Sequence, residues 1–295
     1  MNRILVTGAS GLIGSAFCRK FSDEFELLPA SRNSAIALDL LGGEEVIRSE
    51  IERLRPDVIL HLAAYTDVSS AYDQKGDRSS PCYRLNVEAT ESIARAAKET
   101  GAYLVSVSTD FVFDGSSRDP LTEDCECSPI EWYGETKWIG ETAVREQAGR
   151  WSIARISFPF SLQGETRPDF VTKVRDRLGS GESAFLFTDQ VITPTWIEDI
   201  VDGLALLSRV RPEEEVFHLT GGGSYSPYEI GRMIAQSIPV DEELVVESSL
   251  EDYLQTDPRP RQKYLLLNNT KWRGFCSEAG LAPPRDLADL LGRLK

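Results

Sequence analysis

Tyr133 and Lys137 are four residues apart, so a helix through both would place the two side chains on one face. A tyrosine hydroxyl ordinarily titrates near pH ~10. A lysine ammonium beside it favours the phenolate and brings the hydroxyl into range for proton transfer. Thr109, which ends an apolar segment earlier in the chain, can hydrogen-bond the same substrate oxygen. The three residues predict acid–base chemistry at that oxygen; the alternative is an exposed helical pair without a role.

A glycine-rich turn near the N-terminus has the spacing that suits a nucleotide. Gly8, Gly11 and Gly14 follow an apolar segment and open a helix-like one. Here the chain must turn tightly, a pyrophosphate must approach the backbone, and the helix must pack closely on the strand. Glycine removes the Cβ that would prevent each of these. The helix N-terminus adds free N–H groups and a partial positive charge. We predict a nucleotide site, with a ligand-free tight turn as the alternative.

The segment after the second predicted strand indicates which nicotinamide coenzyme is used. NAD-specific folds usually place an acidic residue at the end of this strand, where it bonds the ribose 2′-hydroxyl. Here residues 26–30 are followed by Ser31 and Arg32, with no acid. Ser31 and Arg32 can hold a 2′-phosphate through charge-assisted hydrogen bonds. NADP(H) is therefore favoured and NAD(H) stays open, since Arg32 can equally be a solvated loop residue. Asp39 and Leu40 are placed to flank the adenine.

Short apolar segments alternate with helix-like segments over the first half of the chain. The apolar segments, at residues 4–6, 58–60, 104–107 and 153–156, suit strands buried on both faces. The helix-like segments are residues 14–21, 44–54, 87–98 and 133–146. This alternation predicts βαβ crossovers, and hence an α/β fold with a Rossmann-type, doubly wound parallel sheet.

The second half of the chain has more frequent Pro and Gly and irregularly spaced helices, at residues 170–178, 197–207 and 227–237. Residues 216–219 predict one more buried strand. We therefore expect an NAD(P)-binding domain over residues 1–163. A smaller C-terminal substrate-binding lobe is expected over residues 164–295, with about 190–222 returning to the Rossmann sheet.

Composition excludes several classes of protein. The 295 residues are 41% hydrophobic and 27% charged, with a net charge of −15. The acidic balance argues against nucleic-acid or anionic-membrane partners, and no apolar run approaches the ~20 residues of a membrane helix. The N-terminus has no signal-like segment, so a cytoplasmic location is expected. Five cysteines without C-x-x-C and only two histidines predict neither a disulfide framework nor a metal site.

Several motifs carry a resemblance to a known family. They are residues 108–115 (STDFVFDG), the Tyr133–Lys137 pair, residues 84–87 (RLNV), residues 193–195 (TPT) after Asp189-Gln190, and residues 259–260 with 269–271. The chain resembles the extended short-chain dehydrogenase/reductase superfamily, and within it the dTDP-4-dehydrorhamnose reductases. The resemblance covers nearly the whole chain and implies NAD(P)H-dependent reduction of a 4-keto nucleotide sugar, as in dTDP-rhamnose synthesis.

The resemblance implies a role for each matching residue. Tyr133 would donate the proton, Lys137 would bond the nicotinamide ribose and lower the pKa of Tyr133, and Thr109 would orient the keto oxygen. His61 precedes the coenzyme strip and is interpreted as a core histidine. The pyrophosphate would be held by Gly8, Ser10, Gly11, Leu12, Ile13 and Gly14, and the coenzyme would be lined by Leu62, Ala63, Ala64 and Tyr65. Substrate contacts are expected at Thr66, Thr109, Asp110, Phe158, Thr195, Arg259 and Arg261.

Some positions depart from the family pattern, all of them expected near the substrate. Residues 129–131 are Pro-Ile-Glu where the family usually has Pro-Leu-Asn, and residues 157–160 are Ser-Phe-Pro-Phe in place of Ser-Trp-Val-Tyr. The stretch 71–80 is longer than the family's, and 262–267 has no certain register. Arg259 and Arg261 have the geometry to clamp a diphosphate, with a charged surface turn as the equal alternative.

Two other functions stay open from the sequence. One is a non-catalytic, NADP-binding regulatory subunit resembling that of methionine adenosyltransferase. The other is a sugar-nucleotide epimerase or dehydratase. A 4,6-dehydratase carries an Asp-Glu pair after the Thr, whereas Asp110 here is followed by Phe111. A homodimer is an expected partner state.

Arg32→Ala is expected to weaken NADPH binding more than NADH binding, because a hydrogen bond to a charged group contributes about 1.5–3 kcal/mol. Dissociation constants of both coenzymes, measured by nicotinamide fluorescence, check this. Equal weakening, or none, would show that Arg32 does not read the 2′-phosphate.

Overall fold

The computed structural model describes residues 1–31, 34, 36, 38–162 and 168–292. The strands are β1 Arg3–Thr7, β2 Glu26–Ala30, β3 Val58–His61, β4 Tyr103–Thr109, β5 Trp151–Ile156, β6 Pro159–Phe160, β7 Ala184–Phe187, β8 Thr195–Trp196, β9 Glu215–His218 and β10 Val245–Ser248. The α-helices are α1 Leu12–Phe21, α2 Glu44–Leu54, α3 Val68–Tyr72, α4 Pro81–Tyr83, α5 Ala89–Thr100, α6 Trp132–Gln147, α7 Phe170–Gly179, α8 Ile197–Val210, α9 Pro227–Ser237, α10 Leu250–Leu254, α11 Thr270–Glu278 and α12 Leu287–Gly292. A π-helical turn covers Arg84–Glu88, and 3-10 turns cover Asp110–Val112 and Glu242–Leu244.

Six strands form the central sheet, in the order β2-β1-β3-β4-β5-β9. Strand β1 pairs in parallel with β2 and with β3, and β3 pairs in parallel with β4. Parallel neighbours need crossover connections, which the intervening helices supply. The predicted Rossmann-type α/β fold is therefore confirmed. The boundaries predicted for β2, α2 and α9 coincide with the observed ones.

The sheet is buried because its strands are apolar on both faces. Leu5, Ile59 and Leu104 lie opposite one another in register and belong to one core cluster with Ile47 and Ile51 of α2. All five side chains are fully buried. Burial of each such side chain contributes roughly 1.5–3 kcal/mol. This core fixes the carboxyl ends of β1, β3 and β4, from which the candidate site extends.

The chain divides into two compact units whose boundaries differ from those predicted. The first comprises Met1–Val112, Cys127–Arg155 and Val201–Phe217, and the second comprises Phe113–Glu126, Ile156–Ile200 and His218–Lys295. The predicted boundary at residue 163 thus lies after the observed break, and only Val201–Phe217 of the predicted return at 190–222 belongs to the first unit.

The segment Phe113–Glu126 was expected in the first domain but belongs to the second unit. Its backbone is bonded there: Leu121 N donates to Leu266 O at 2.7 Å, and Tyr264 N donates to Gly115 O at 2.9 Å. These bonds join residues more than a hundred positions apart, which leave no pattern in the local sequence. The place of this segment in the second unit could therefore not be predicted from the sequence.

The second unit has its own small sheets and core. Strands β7 and β10 form one parallel pair, and β6 and β8 form another. Val174 and Leu178 of α7 lie in one core cluster with Ile230 and Ile234 of α9. The unit is therefore held together by apolar packing of its own.

Within the described part of the chain, none of the helices combines the length and apolar character that crossing a membrane requires. The same residues contain no group of three or more His, Cys, Asp or Glu side chains arranged to hold a metal ion.

A buried ion pair ties α6 to β5 in the first unit. The Arg155 guanidinium donates from Nε and Nη2 to Glu141 Oε1 and Oε2, at 3.0 and 2.8 Å. The two side chains are only 1% and 2% exposed. Two parallel charge-assisted bonds offset part of the cost of removing both charges from water. Loss of Glu141 would take both of these bonds from a guanidinium that stays buried.

Glu141→Leu is expected to lower the free energy of unfolding by about 3–5 kcal/mol, and adding Arg155→Met should recover most of the loss. Urea denaturation measures both variants. Glu50→Gln, which breaks the exposed pair with Arg53, is the control and should cost at most about 1 kcal/mol. A double variant no more stable than Glu141→Leu would contradict this account of the pair.

Candidate active site

The N-terminal glycine turn closes tightly against the residues that follow β3. Gly8 has a φ of +69°, and a Cβ there would lie 2.7 Å from Ala63 N. A Cβ on Gly14 would lie 2.3 Å from Gly8 O, so α1 packs directly on the turn. Gly11 is the N-cap of α1, and no described side chain caps this helix. This cradle fits a pyrophosphate. The other predicted residues of the turn are Ser10, which is exposed, and Leu12 and Ile13, which are half-buried.

His61 connects the end of β1 to α5. Its Nδ1 lies 2.8 Å from Thr7 Oγ1 and its Nε2 lies 3.0 Å from Thr90 Oγ1. Thr7 Oγ1 also accepts a hydrogen bond from Ala63 N at 3.3 Å. Burial lowers the pKa of His61 to about 3, and the charge of Lys137 acts in the same direction. His61 is thus neutral and structural, in agreement with its interpretation as a core histidine.

The residues after β2 form their own turns. Ser31 N donates to Ser34 Oγ at 2.7 Å, and Leu41 N donates to Asp39 Oδ1 at 3.0 Å. Asp39 is exposed, whereas Leu40 packs partly against the core. Arg32 lies outside the described residues, so its predicted contact with a 2′-phosphate stays a prediction.

Asn86 holds the strip that follows β3. It lies in the π-helical turn, and its Oδ1 accepts from Tyr65 N at 2.8 Å. Its Nδ2 donates to Tyr65 O at 3.2 Å and to Thr136 Oγ1 at 3.0 Å. The buried amide therefore links Tyr65 to the helix turn between Tyr133 and Lys137. The other predicted strip residues are the half-buried Leu62, Ala63 and Ala64, followed by the exposed Thr66.

Helix α6 begins at a buried glutamate. Glu131 is the N-cap; its Oε2 accepts from Tyr133 N at 2.8 Å and its Oε1 from Gly134 N at 2.6 Å. A Cβ on Gly134 would lie 2.2 Å from Phe111 O, so the helix begins in direct contact with the segment after β4. This contact brings the predicted catalytic residues of β4 and α6 together.

Tyr133, Thr109 and Asp110 form a hydrogen-bonded series. The Tyr133 hydroxyl bonds the Thr109 side chain. Thr109 Oγ1 in turn donates to Asp110 Oδ1 at 3.0 Å and accepts from Phe111 N at 3.3 Å. The three side chains are at most 9% exposed.

Lys137 points its ammonium group at the backbone of β4, where Nζ donates to Val107 O at 2.8 Å. Burial lowers the pKa of Lys137 to about 8. Lys137 is therefore one helical turn from Tyr133, but its ammonium group is hydrogen-bonded to a carbonyl of β4.

The pKa of Tyr133 moves in the direction opposite to the one the sequence predicts. Burial raises it first; the Thr109 hydrogen bond lowers it, and the nearby Asp110 and Glu131 carboxylates raise it again. Lys137 donates to Val107 O instead. The phenol form of Tyr133 is therefore the stable one, which is the form that donates a proton.

The remaining predicted substrate residues lie in the second unit. Thr195 is 1% exposed; its hydroxyl donates to Thr193 O at 3.3 Å and accepts from Gly221 N at 3.1 Å. Phe158 has a φ of +38°, uncommon for a residue with a Cβ, and its carbonyl accepts from Thr195 N at 3.2 Å. These bonds give Thr195 a structural task besides any contact with substrate.

Arg259 and Arg261 converge on one carboxylate. Arg259 Nε donates to Asp257 Oδ1 at 2.8 Å, and Arg261 Nη2 lies 3.6 Å from Asp257 Oδ2. The Arg261 guanidinium also lies 5.0 Å from the centre of the Tyr253 ring. The Arg259 guanidinium holds the pKa of Asp257 well below its usual range. Two cations share one anion, so the group keeps a net positive charge.

Sequence reasoning assigned no role to two residues that the structure places beside Tyr133. Asn86 was noted only within the motif at residues 84–87, and Glu131 only as a departure from Pro-Leu-Asn. Both are polar residues, and both are buried by segments that lie far along the chain.

Comparison with known proteins gives consistent matches. A family model described as "RmlD substrate binding domain" matches residues 1–279. A Burkholderia thailandensis protein named dTDP-4-dehydrorhamnose reductase is 32% identical over 232 residues, covering 76% of this chain and 74% of that protein. A Streptomyces niveus protein named dTDP-4-keto-6-deoxy-D-glucose reductase is 31% identical, covering 96% and 93%. The structure of dTDP-4-dehydrorhamnose reductase from Bacillus anthracis, in complex with NADP, has a TM-score of 0.85 at 25% identity, covering 99% and 98%.

These matches confirm the predicted family and fold over nearly the whole chain. The relatives' names agree with the predicted class, an NAD(P)-dependent oxidoreductase of nucleotide sugars. The NADP bound by the B. anthracis protein agrees with the predicted coenzyme preference.

Glu131 is 3% exposed, and burial raises its pKa from an ordinary 4.5 to about 7. The folded protein then binds this proton more tightly than the unfolded chain. The stability that Glu131 contributes should be greatest below pH 4.5 and should fall as the pH rises to about 7. Glu131→Gln does not titrate, so the wild-type stability minus that of the variant should fall by roughly 2–3 kcal/mol, at about 1.4 kcal/mol per pKa unit.

Urea denaturation at a series of pH values measures this difference. Glu146→Gln, which removes an exposed carboxylate from the same helix, is the control. A difference between wild type and Glu131→Gln that stays flat from pH 4.5 to 7 would exclude a buried, titrating Glu131.

Proposed function

We propose that this chain, which belongs to the RmlD substrate binding domain family, reduces the 4-keto group of a nucleotide sugar with NADPH. Its reaction is most like that of the dTDP-4-dehydrorhamnose reductases among its relatives, within dTDP-rhamnose synthesis. The observation that carries the proposal is the buried Tyr133 hydroxyl bonded to Thr109, with Lys137 one turn along the same helix. A carbonyl oxygen bound here would accept from the Tyr133 hydroxyl, and from Thr109 once the Thr109 proton turns to it from Asp110.

The glycine turn supports the coenzyme assignment. Side chains at Gly8 or Gly14 would fill the space that the turn keeps open, and the N-terminus of α1 has no cap from a described side chain. The backbone of Gly8 to Gly14 would hold the pyrophosphate, and Leu62 to Tyr65 would line the dinucleotide. When bound, NADPH supplies the hydride.

Tyr133 would supply the proton. As the ketone is reduced, negative charge develops on its oxygen, and a phenol within hydrogen-bond reach can protonate it. Thr109 would orient that oxygen by donating to it in place of Asp110, which accepts the Thr109 proton at 3.0 Å when no substrate is bound. The product is an alcohol, and Tyr133 recovers a proton from solvent before the next cycle.

Lys137 would bind the nicotinamide ribose. Its ammonium is buried and donates to Val107 O, which fixes its position at the end of β4. A lysine with a pKa of about 8 is still largely charged at neutral pH. That charge would also stabilise Tyr133 once it has given up its proton.

We further propose that Arg259 and Arg261 bind the diphosphate of the substrate. The shared Asp257 and the Tyr253 ring support this, because they hold both planar guanidinium groups in place while leaving net positive charge. Thr66, Asp110, Phe158 and Thr195 are proposed as the remaining substrate contacts. A homodimer and a cytoplasmic location are proposals of the same kind; sedimentation and cell fractionation test them.

Tyr133→Phe removes only the hydroxyl and is expected to lower turnover about 10²–10⁴-fold with little change in coenzyme affinity. Lys137→Met should weaken NADPH binding as well, because its ammonium is assigned to the ribose. Oxidation of NADPH with a panel of 4-keto nucleotide sugars measures turnover, and fluorescence measures binding.

The same panel tests the whole assignment. If the wild-type protein binds NADPH but reduces none of the sugars, the regulatory function replaces the reductase. If Tyr133→Phe keeps full activity, Tyr133 is not the proton donor.

A further inference from the structure

Glu131 is an unusual residue at the start of a helix. The residues that most often cap helices are Asn, Asp, Ser, Thr and Gly, whose short side chains reach the first N–H groups directly. Glu131 reaches them with a longer side chain and uses both carboxylate oxygens, one for Tyr133 N and one for Gly134 N. The bond to Tyr133 N fixes the backbone of the residue that carries the reactive hydroxyl.

The surroundings of Glu131 do not neutralise it. The side chain is 3% exposed, and no ion pair to it exists among the residues that the structure describes. Its electrostatic neighbours come from three elements and are acidic or weakly acidic: Asp110 of the turn after β4, Glu135 and Tyr133 of α6, and Cys82 of α4. A carboxylate here therefore holds a negative charge close to Tyr133.

We propose that Glu131 is a positioning residue for the reduction: its carboxylate fixes the first turn of α6 and the backbone of Tyr133, and it holds a negative charge near the Tyr133 phenol. The consequence for turnover depends on the proposed function, whereas the effect on Tyr133 ionisation does not. An asparagine cap would supply the first of these effects without the second.

Two pH effects follow from one carboxylate. While Glu131 is charged, it opposes formation of the Tyr133 phenolate, so Tyr133 remains a donor to higher pH. When Glu131 is protonated, one oxygen carries a hydrogen and faces a backbone N–H that needs an acceptor. Because burial raises the pKa of Glu131 to about 7, this second effect falls on the acid side of neutrality. The two effects of Glu131 therefore act on opposite sides of its own titration: its charge acts on Tyr133, and its protonation acts on the N-cap.

Glu131→Asp and Glu131→Asn form the matched pair that tests this. Both are favoured N-cap residues of almost the same shape, and they differ in charge. The alkaline limb of the kcat profile for reduction should stay close to wild type in Glu131→Asp. It should move down by roughly one pH unit in Glu131→Asn. The affinity for NADPH should be unchanged in both, and Glu146→Gln, at the exposed far end of α6, serves as the control for loss of charge on the same helix.

A second measurement needs no turnover. The tyrosinate absorption of each variant, minus that of the same variant carrying Tyr133→Phe, reports ionisation of Tyr133 alone. Glu131→Asn should form Tyr133 tyrosinate at lower pH than Glu131→Asp. If no sugar is reduced, the proposed function fails and this comparison still decides the role of Glu131. Equal alkaline limbs and equal tyrosinate titrations in the two variants would overturn the proposal and leave Glu131 as a cap only.

Discussion

The close approach of α6 to the segments around it is the constraint on which the candidate site depends. A Cβ on Gly134 would lie 2.2 Å from Phe111 O, and one on Gly140 would lie 2.5 Å from Asn86 O. Any larger residue at either position would force the helix away from both neighbours. Tyr133 directly precedes Gly134, and Lys137 lies between the two glycines. The distances of both residues to β4 are therefore set by backbone contact and not by side-chain packing.

Close backbone contact leaves little room for water, and the polar groups nearby must satisfy one another. The Asn86 amide does this for three segments at once, through Tyr65 N, Tyr65 O and Thr136 Oγ1. A buried polar group left without a partner costs about 1–3 kcal/mol. The π-helical turn at Arg84–Glu88 is the local distortion that accompanies this position of Asn86. The same network therefore stabilises the fold and fixes the site.

Local pattern was enough to predict the sheet, most helices and the Tyr133–Lys137 pair. The apolar strands and the Gly8 to Gly14 turn are signals that depend on adjacent residues, and their boundaries agree with the structure to within a few residues. The sequence did not predict the π-helical turn that leads into the helix expected at 87–98, the place of Phe113–Glu126 in the second unit, or the burial of Glu131. Each depends on a partner far along the chain, such as Leu266 for Leu121.

The upward shift of the Tyr133 pKa shows why the spacing of Tyr133 and Lys137 along the sequence is not enough to predict their chemistry. Spacing identifies Lys137 as the neighbour of Tyr133 but not where its ammonium group is bonded, and here it donates to Val107 O. Burial favours the neutral form of four groups of the site: it lowers the pKa of His61 and Lys137 and raises that of Tyr133 and Glu131. A reductase needs a neutral phenol before hydride transfer and a stabilised phenolate after it. Lys137 meets both requirements. Its ammonium donates to Val107 O while Tyr133 is a phenol, so it does not promote ionisation of the phenol, and it lies one helical turn away, where its charge can stabilise the phenolate after proton transfer.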